Sequence, residues 1–189
     1  MIILENTFFN RDATLVAKDL LGKLLVRKLG ERIISGVIVE TEAYLGANDP
    51  AAHSFIGKTE RTKVLFGPAG YAYIHSMHGQ NLLDITCSEI NDPVSVLIRA
   101  LEPIEVIDLM QKFRSKEKLK DLTTGPGKLC KAMDIDKSFY GLDLTNKDST
   151  LFIVENDSEY EVMESERIGI SKGKEHILRF FIKRNKFVS

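Results

Sequence analysis

The stretch Ser35-Gly-Val-Ile-Val-Glu-Thr-Glu-Ala-Tyr-Leu-Gly46 runs from a β-branched apolar segment into carboxylates and then an aromatic ring. In extended backbone successive side chains alternate faces, so Glu40, Glu42 and Tyr44 share one face and Val37, Val39 and Thr41 the other. The pattern predicts a strand that packs on one side and sets an acid beside a stacking ring on the other. Gly46 ends the run, and His53 follows within Asn48-Asp-Pro-Ala-Ala-His-Ser54. A carboxylate, a tyrosine and a nearby histidine suit a pocket that grips a flat ring and moves a proton.

Working outward, Leu24 to Leu29, a turn at Gly30-Glu31 and Arg32 to Glu42 read as a β-hairpin. Upstream, Ala13, Val16, Ala17, Leu20 and Leu21 recur at helical spacing, with Asn10 placed as the N-cap and Gly22 as the stop. Downstream, Tyr71 to Ser76 and Val94 to Leu101 are expected to form a second strand pair joined by the turn Asn91-Asp-Pro93. Pro103 is expected to open a helix through Val106, Leu109 and Met110 to Phe113, followed by a lysine-rich loop. A short helix over Leu129 to Met133 opens from Gly125-Pro-Gly-Lys128. Strands are expected at Leu151 to Glu155, Val162, Arg167 to Ile170 and Leu178 to Lys183. No internal repeat or composition shift marks a linker. Strands outnumber long helices and are joined by tight turns rather than helical crossovers. That predicts an α+β fold, one domain over residues 1–189, on a mostly antiparallel, curved sheet with flanking helices.

A chain of 189 residues can bury a proper core in one domain. Its formal net charge of −1 and pI near 6.4 exclude capture of nucleic acid by overall charge. Any such contact must come from local segregation. One basic run is Lys112, Arg114, Lys116, Lys118 and Lys120, continued by Lys128, Lys131 and Lys137. Another is Lys172, Lys174, Arg179, Lys183, Arg184 and Lys186, while acid collects between Asp143 and Glu166. A charge run is more often a solvated face than a binding surface, so these runs alone do not establish one. Cys87 and Cys130 are too few for a disulfide framework and lack metal-ligand spacing, which predicts buried thiols in a reducing compartment. His75 and His78 could share a zinc ion on a helix, but their segment reads as strand and turn, so no metal is expected. The N-terminus lacks a signal-peptide pattern and no apolar run reaches spanning length, which predicts a soluble protein of the cytoplasm or nucleoid.

Several blocks fall in a recognisable order. Val39-Glu-Thr-Glu-Ala-Tyr-Leu-Gly46 with Ala51-Ala-His-Ser54 is followed by Gly67-Pro-Ala-Gly-Tyr-Ala-Tyr-Ile74, Val96-Leu-Ile-Arg-Ala-Leu-Glu-Pro103 and Thr124-Gly-Pro-Gly-Lys-Leu-Cys-Lys-Ala-Met133. Arg167-Ile-Gly-Ile170, Leu178-Arg-Phe180 and Phe187-Val-Ser189 close the series. With these blocks the chain closely resembles the alkyladenine (3-methyladenine) DNA glycosylase family from Leu15 to Ser189. The resemblance implies a monofunctional DNA glycosylase of base excision repair that flips alkylated purines out of duplex DNA and hydrolyses the N-glycosidic bond. The substrates implied are 3-methyladenine and 7-methylguanine, with hypoxanthine and etheno-adenine as further candidates. It also implies a compact α+β domain with a protruding hairpin that inserts into the DNA groove, no cofactor, and action as a monomer on damaged duplex DNA.

Cleaving that bond needs a water nucleophile, a group that polarises it, and stabilisation of cationic character on the sugar. Glu42 matches the family's catalytic glutamate; Glu40, on the same face, is expected to support it. Arg99 lies within an apolar strand, where burial without an anion is costly, so it pairs with a carboxylate such as Glu42 or Glu102 or meets a phosphate. By resemblance it holds the catalytic water. Tyr44 and His53 match the base-pocket ring and imidazole. The hairpin Tyr73-Ile-His75-Ser-Met-His78-Gly79 departs from the family, with His75 at the pocket-wall tyrosine and His78 at the intercalating tyrosine. The family's discriminating asparagine has no clean counterpart: Asp84 or Ile85 falls there, depending on a one-residue gap. Thr124-Gly-Pro-Gly-Lys128 lacks the phosphate-loop spacing. It looks more like a helix-hairpin-helix turn, which the strand content opposes, and Lys128 is expected to contact a DNA phosphate. Two rival readings remain, a catalytically silent damage-binding module and a hydrolase of free nucleosides.

Overall fold

The computed structural model describes residues 1–156 and 158–189. Strands β1 (Leu24–Leu29) and β2 (Arg32–Tyr44) form the expected hairpin, with Leu29 opposite Arg32. β2 is central. A strand over Val94–Glu105 runs along one of its edges. The other edge is occupied by β1 from Arg32 to Val37 and then by a strand over Arg179–Ile182 from Glu40 to Glu42. In chain order the remaining strands are β3 (Ala72–Met77), β4 (Gln80–Cys87), β6 (Leu151–Val154) and β7 (Val162–Ser165), so Val94–Glu105 is β5 and Arg179–Ile182 is β8. The described residues form one eight-stranded antiparallel sheet in the order β3-β4-β5-β2-β1-β6, with β8 paired to β2 and β7. With few and short helices around it, the fold is α+β, as the turn-rich strand pattern predicts.

Helix α1 (Asn6–Phe9) precedes α2 (Ala13–Asp19), whose N-cap is Asp12 rather than Asn10: the Asp12 carboxylate accepts the amides of Thr14 and Leu15 at 2.9 and 3.1 Å. Asn10 instead closes α1, donating its amide to Asn6. The apolar stripe Ala13, Val16, Ala17 of α2 and the adjacent Leu20 are buried. Full burial of an aliphatic side chain of that size contributes about 1.5–3 kcal/mol. Thr41 donates to the Ala17 carbonyl at 2.8 Å, so α2 covers the face of β2 opposite the glutamates.

The expected pairing of Tyr71–Ser76 with Val94–Leu101 is incorrect, because β4 lies between β3 and β5 and the turn at Asn91–Pro93 joins β4 to β5. β4 reads poorly as a strand since Asn81 and Asp84 interrupt its apolar residues, yet it is buried from Leu82 to Cys87. Pro103 does not open a helix. β5 runs through it to Glu105, tolerated beside an irregularity where Ser35 faces Glu105 and Gly36 faces Pro103. Helix α3 (Ile107–Arg114) begins only after Val106, which has a φ of 52°. The lysine-rich segment includes a helical turn, α4 (Lys120–Thr123), and α5 spans Pro126–Ala132. Arg167–Ile170 is irregular chain rather than the expected strand. Cys87 and Cys130 are buried free thiols, and burial pushes both well above the usual thiol range.

Candidate active site

Two β-bulges aim the charged groups of the site. Along β2 the partners step from Leu101 opposite Ile38 to Ala100 opposite Glu40, then to Ile98 opposite Thr41, leaving Val39 and Arg99 without cross-strand partners. A bulge bends the strand and redirects its side chains. Arg99 thus reaches both glutamates, Nε to Glu40 Oε1 at 3.0 Å and Nη1 to Glu42 Oε2 at 3.2 Å. Glu102, the other partner considered for it, accepts from Asn185. Glu40 accepts four hydrogen bonds: Oε1 also accepts from Arg179 Nε at 2.7 Å and from the Ser189 hydroxyl at 3.0 Å, and Oε2 accepts the Ser189 amide at 2.6 Å. Both carboxylates have no exposed surface, and two arginines match their charge.

Glu42 Oε2 also accepts from the Tyr44 hydroxyl at 3.0 Å, and Oε1 accepts the Ile168 amide at 2.7 Å. A carboxylate offers about four lone-pair positions. Three are used here, and the free one is on Oε1. Burial raises the Glu42 pKa above the usual 4.5, more than Arg99, the Ile168 amide and the Tyr44 hydroxyl lower it. Burial and the adjacent Glu42 hold the Tyr44 phenol protonated far above its ordinary range. The Tyr44 ring is capped by the Arg167 guanidinium at 4.7 Å. Arg167 is itself ion-paired to Asp49, with Nη2 to Oδ1 at 2.8 Å, and donates to the Ala43 carbonyl at 3.0 Å.

In front of this cluster lies a cavity of about 200 Å³ whose wall includes Tyr44, His53, Tyr73, His75, Asp84, Arg99 and Ile168. Glu42 sits behind that wall, reached through the three groups that bond it. His53 comes from the 3₁₀ turn His53–Ile56, Tyr73 and His75 from β3, and Asp84 from β4. Tyr73 and His75 stack with centroids 5.3 Å apart, and His53 meets His75 edge-on at 4.5 Å. Tyr73 faces Asp84 directly across the ladder, which brings His75 diagonally over the same residue: His75 Nε2 lies 2.9 Å from Asp84 Oδ2. Arg61, a donor only, lies 3.4 Å from His53 Nε2, so Nδ1 carries the ring proton and donates to the Tyr73 oxygen at 3.1 Å. Burial, and then the neighbouring His75, lower the His53 pKa to about 4.

The structure thus brings Glu42, Tyr44 and Arg99 into one hydrogen-bonded cluster and adds His53 and His75 around the same cavity. Asp84 lines it, whereas Ile85 is fully buried in the core. His78 lies outside, at the exposed tip of the β3–β4 hairpin, where it and Gly79 have φ values of 49° and 75°. A two-residue turn of type I′ requires that conformation at both positions. Lys128 also lies outside, on α5, with Nζ 3.4 Å from the Thr124 hydroxyl. Pro126 of α5 lines the cavity, and a Cβ on Gly127 would stand 1.8 Å from Gln80 Oε1, so α5 abuts the hairpin as only glycine there permits. Arg179, counted in a basic run, is instead spent on Glu40 in the interior. Sequence reasoning missed Tyr73, the Ile168 amide, the Arg167–Asp49 pair and Ser189. Arg167-Ile-Gly-Ile170 was legible as a block, but a backbone amide carries no residue-type signal.

Residues 7–186 match the family model described as methylpurine-DNA glycosylase (MPG), and the chain belongs to that family of DNA-repair glycosylases. It is 47% identical over 199 residues, covering 98% of each chain, to a protein of Clostridium novyi (strain NT) named "Putative 3-methyladenine DNA glycosylase". Proteins of the same name from Carboxydothermus hydrogenoformans and Koribacter versatilis are 40% and 42% identical over 191 residues, covering 100% and 98% of this chain and 99% and 92% of theirs. DNA is the partner that membership implies. No helix among the described residues is long and apolar enough to cross a membrane.

Proposed function

We propose that this glycosylase is monofunctional, extrudes an alkylated purine from duplex DNA into the cavity beside Tyr44, and hydrolyses its N-glycosidic bond with water activated by Glu42. The observation that carries the reading is the state of Glu42: a buried carboxylate with a raised pKa, fixed by three groups of the cavity wall, with one acceptor position left on Oε1. Water bound at that position gives its proton to Glu42 as its oxygen bonds to C1′. The C1′–N bond breaks, its electron pair leaves with the base, and the product is an abasic site. Arg99 and the Ile168 amide keep the carboxylate oriented, and its charge stabilises cationic character on the sugar.

Tyr44, Tyr73 and His75 supply flat faces that offset the cost of unstacking the base. The cavity-lining residues among those described include no lysine, which favours hydrolysis over a Schiff base and strand nicking. The substrates expected are 3-methyladenine and 7-methylguanine, with hypoxanthine and etheno-adenine as neutral lesions to be compared. His78 is the proposed wedge in the space left by the flipped nucleotide, Lys128 a proposed phosphate contact, and the protein is proposed to act as a monomer. Release of 7-methylguanine from a duplex should be much faster than from the free nucleoside at equal concentration. Equal rates would instead mark a nucleoside hydrolase, and binding of lesion duplex with no release would mark a silent damage-binding module.

A further inference from the structure

We propose that Asp84, oriented by His75, sets the enzyme's preference among damaged purines, favouring bases that carry a positive charge in DNA over neutral ones. The inference rests on the cavity being the base pocket. Asp84 is 4% exposed and lines the cavity, with Oδ2 2.9 Å from His75 Nε2 and Oδ1 3.4 Å from the Ser95 hydroxyl. Ser95 donates to one oxygen and His75 Nε2 faces the other, so an ionised Asp84 accepts from both when the ring proton is on Nε2. His75 Nδ1 is buried without a partner among the described residues. An imidazolium would leave a charged N–H there with no acceptor, whereas the neutral ring with its proton on Nε2 leaves only a lone pair. The pair therefore holds one net negative charge.

That charge is not matched within the wall. Arg99 is bound to Glu40 and Glu42, Arg179 to Glu40, and Arg167 to Asp49. Arg61 touches His53 and Tyr73 of the wall but is itself exposed, and solvent screens its charge. A purine alkylated at N3 or N7 is cationic while attached to its sugar; hypoxanthine and etheno-adenine are neutral. A carboxylate accepts hydrogen bonds only and, in a partly dry pocket, attracts the cationic ring. When the glycosidic bond breaks, its electron pair neutralises the departing base. Asp84 thus stabilises the bound cation more than the departing base, so its loss should raise half-saturation (K1/2) for a cationic lesion without lowering the maximal single-turnover rate (kmax).

The test is single-turnover excision of 7-methylguanine and of hypoxanthine from otherwise identical duplexes by the unaltered protein and by Asp84→Asn, a change that keeps size. The ratio of K1/2 for hypoxanthine to that for 7-methylguanine should fall about ten-fold in the variant, the scale of one partly screened charge. A ratio changed by less than about two-fold, with both lesions still excised, would overturn the proposal. No excision of either lesion by the unaltered protein would defeat the glycosylase reading itself. A second measurement needs no variant. Non-cleavable duplexes carrying 2′-fluoro-7-methylguanine, a cation, and 7-methyl-7-deazaguanine, its neutral near-isostere, are compared by competition. Tighter binding of the cation supports the charged wall, and equal binding overturns it.

Discussion

His53 shows how one residue can be tuned by its surroundings. Its burial and the edge-on His75 lower its pKa to about 4, so the ring is neutral across the physiological range and bonds Tyr73 through Nδ1. The unfolded chain takes up a proton as pH falls through its ordinary value of 6.5, while the folded protein does not until about 4. Stability should therefore decline between those two values as the pH is lowered. His53→Gln should flatten that part of the profile, read from urea midpoints at several pH values; an unchanged slope would contradict the assignment. Glu42, Tyr44, His53 and Arg99 were all visible in the sequence as polar groups in apolar or turn-rich settings. Their hydrogen-bond partners were not, because Ile168 contributes a backbone amide and Ser189 lies 149 residues from Glu40.

Among the elements, the β1–β2 hairpin could be read because the apolar run of β2 meets a turn signal at Gly30-Glu31. β4 could not, since a strand buried along most of its length with Asn81 and Asp84 inside it shows no alternation. Alternation along β2 also says nothing about its bulges, and it is the register across β5 that leaves Arg99 free to reach both glutamates. The β3–β4 hairpin ends in His78 and Gly79, both with positive φ, and projects an exposed imidazole beside Met77, which is 40% exposed. If His78 is the wedge, His78→Ala should weaken base extrusion and excision together. His78→Tyr should preserve or strengthen both by restoring stacking area worth about 1–3 kcal/mol. Etheno-adenine fluorescence reports the extrusion. Unchanged extrusion and excision in His78→Ala would move the role to Met77.

At the scale of the whole molecule, a net charge of −1 leaves DNA affinity to local geometry. Several surface lysines are already paired, Lys18 with Glu164, Lys63 with Glu60 and Lys183 with Glu161, while Lys128, on the helix beside the hairpin, holds only a long contact to Thr124 among the described residues. Binding of lesion duplex should weaken steeply with salt, by about one unit of log–log slope per phosphate neutralised, and Lys128→Ala should reduce that slope by about one. A flat salt profile, or no change in the variant, would contradict a DNA-facing surface there. The central claim is that Glu42 activates the water, and single-turnover excision of 7-methylguanine by Glu42→Gln tests it most directly. The variant keeps the size of the side chain and removes the proton acceptor. Excision should fall by about 100-fold or more while duplex binding persists, and the acid limb expected of the unaltered enzyme above pH 4.5 should disappear in the variant. Near-normal excision by Glu42→Gln would contradict the account and point to Glu40.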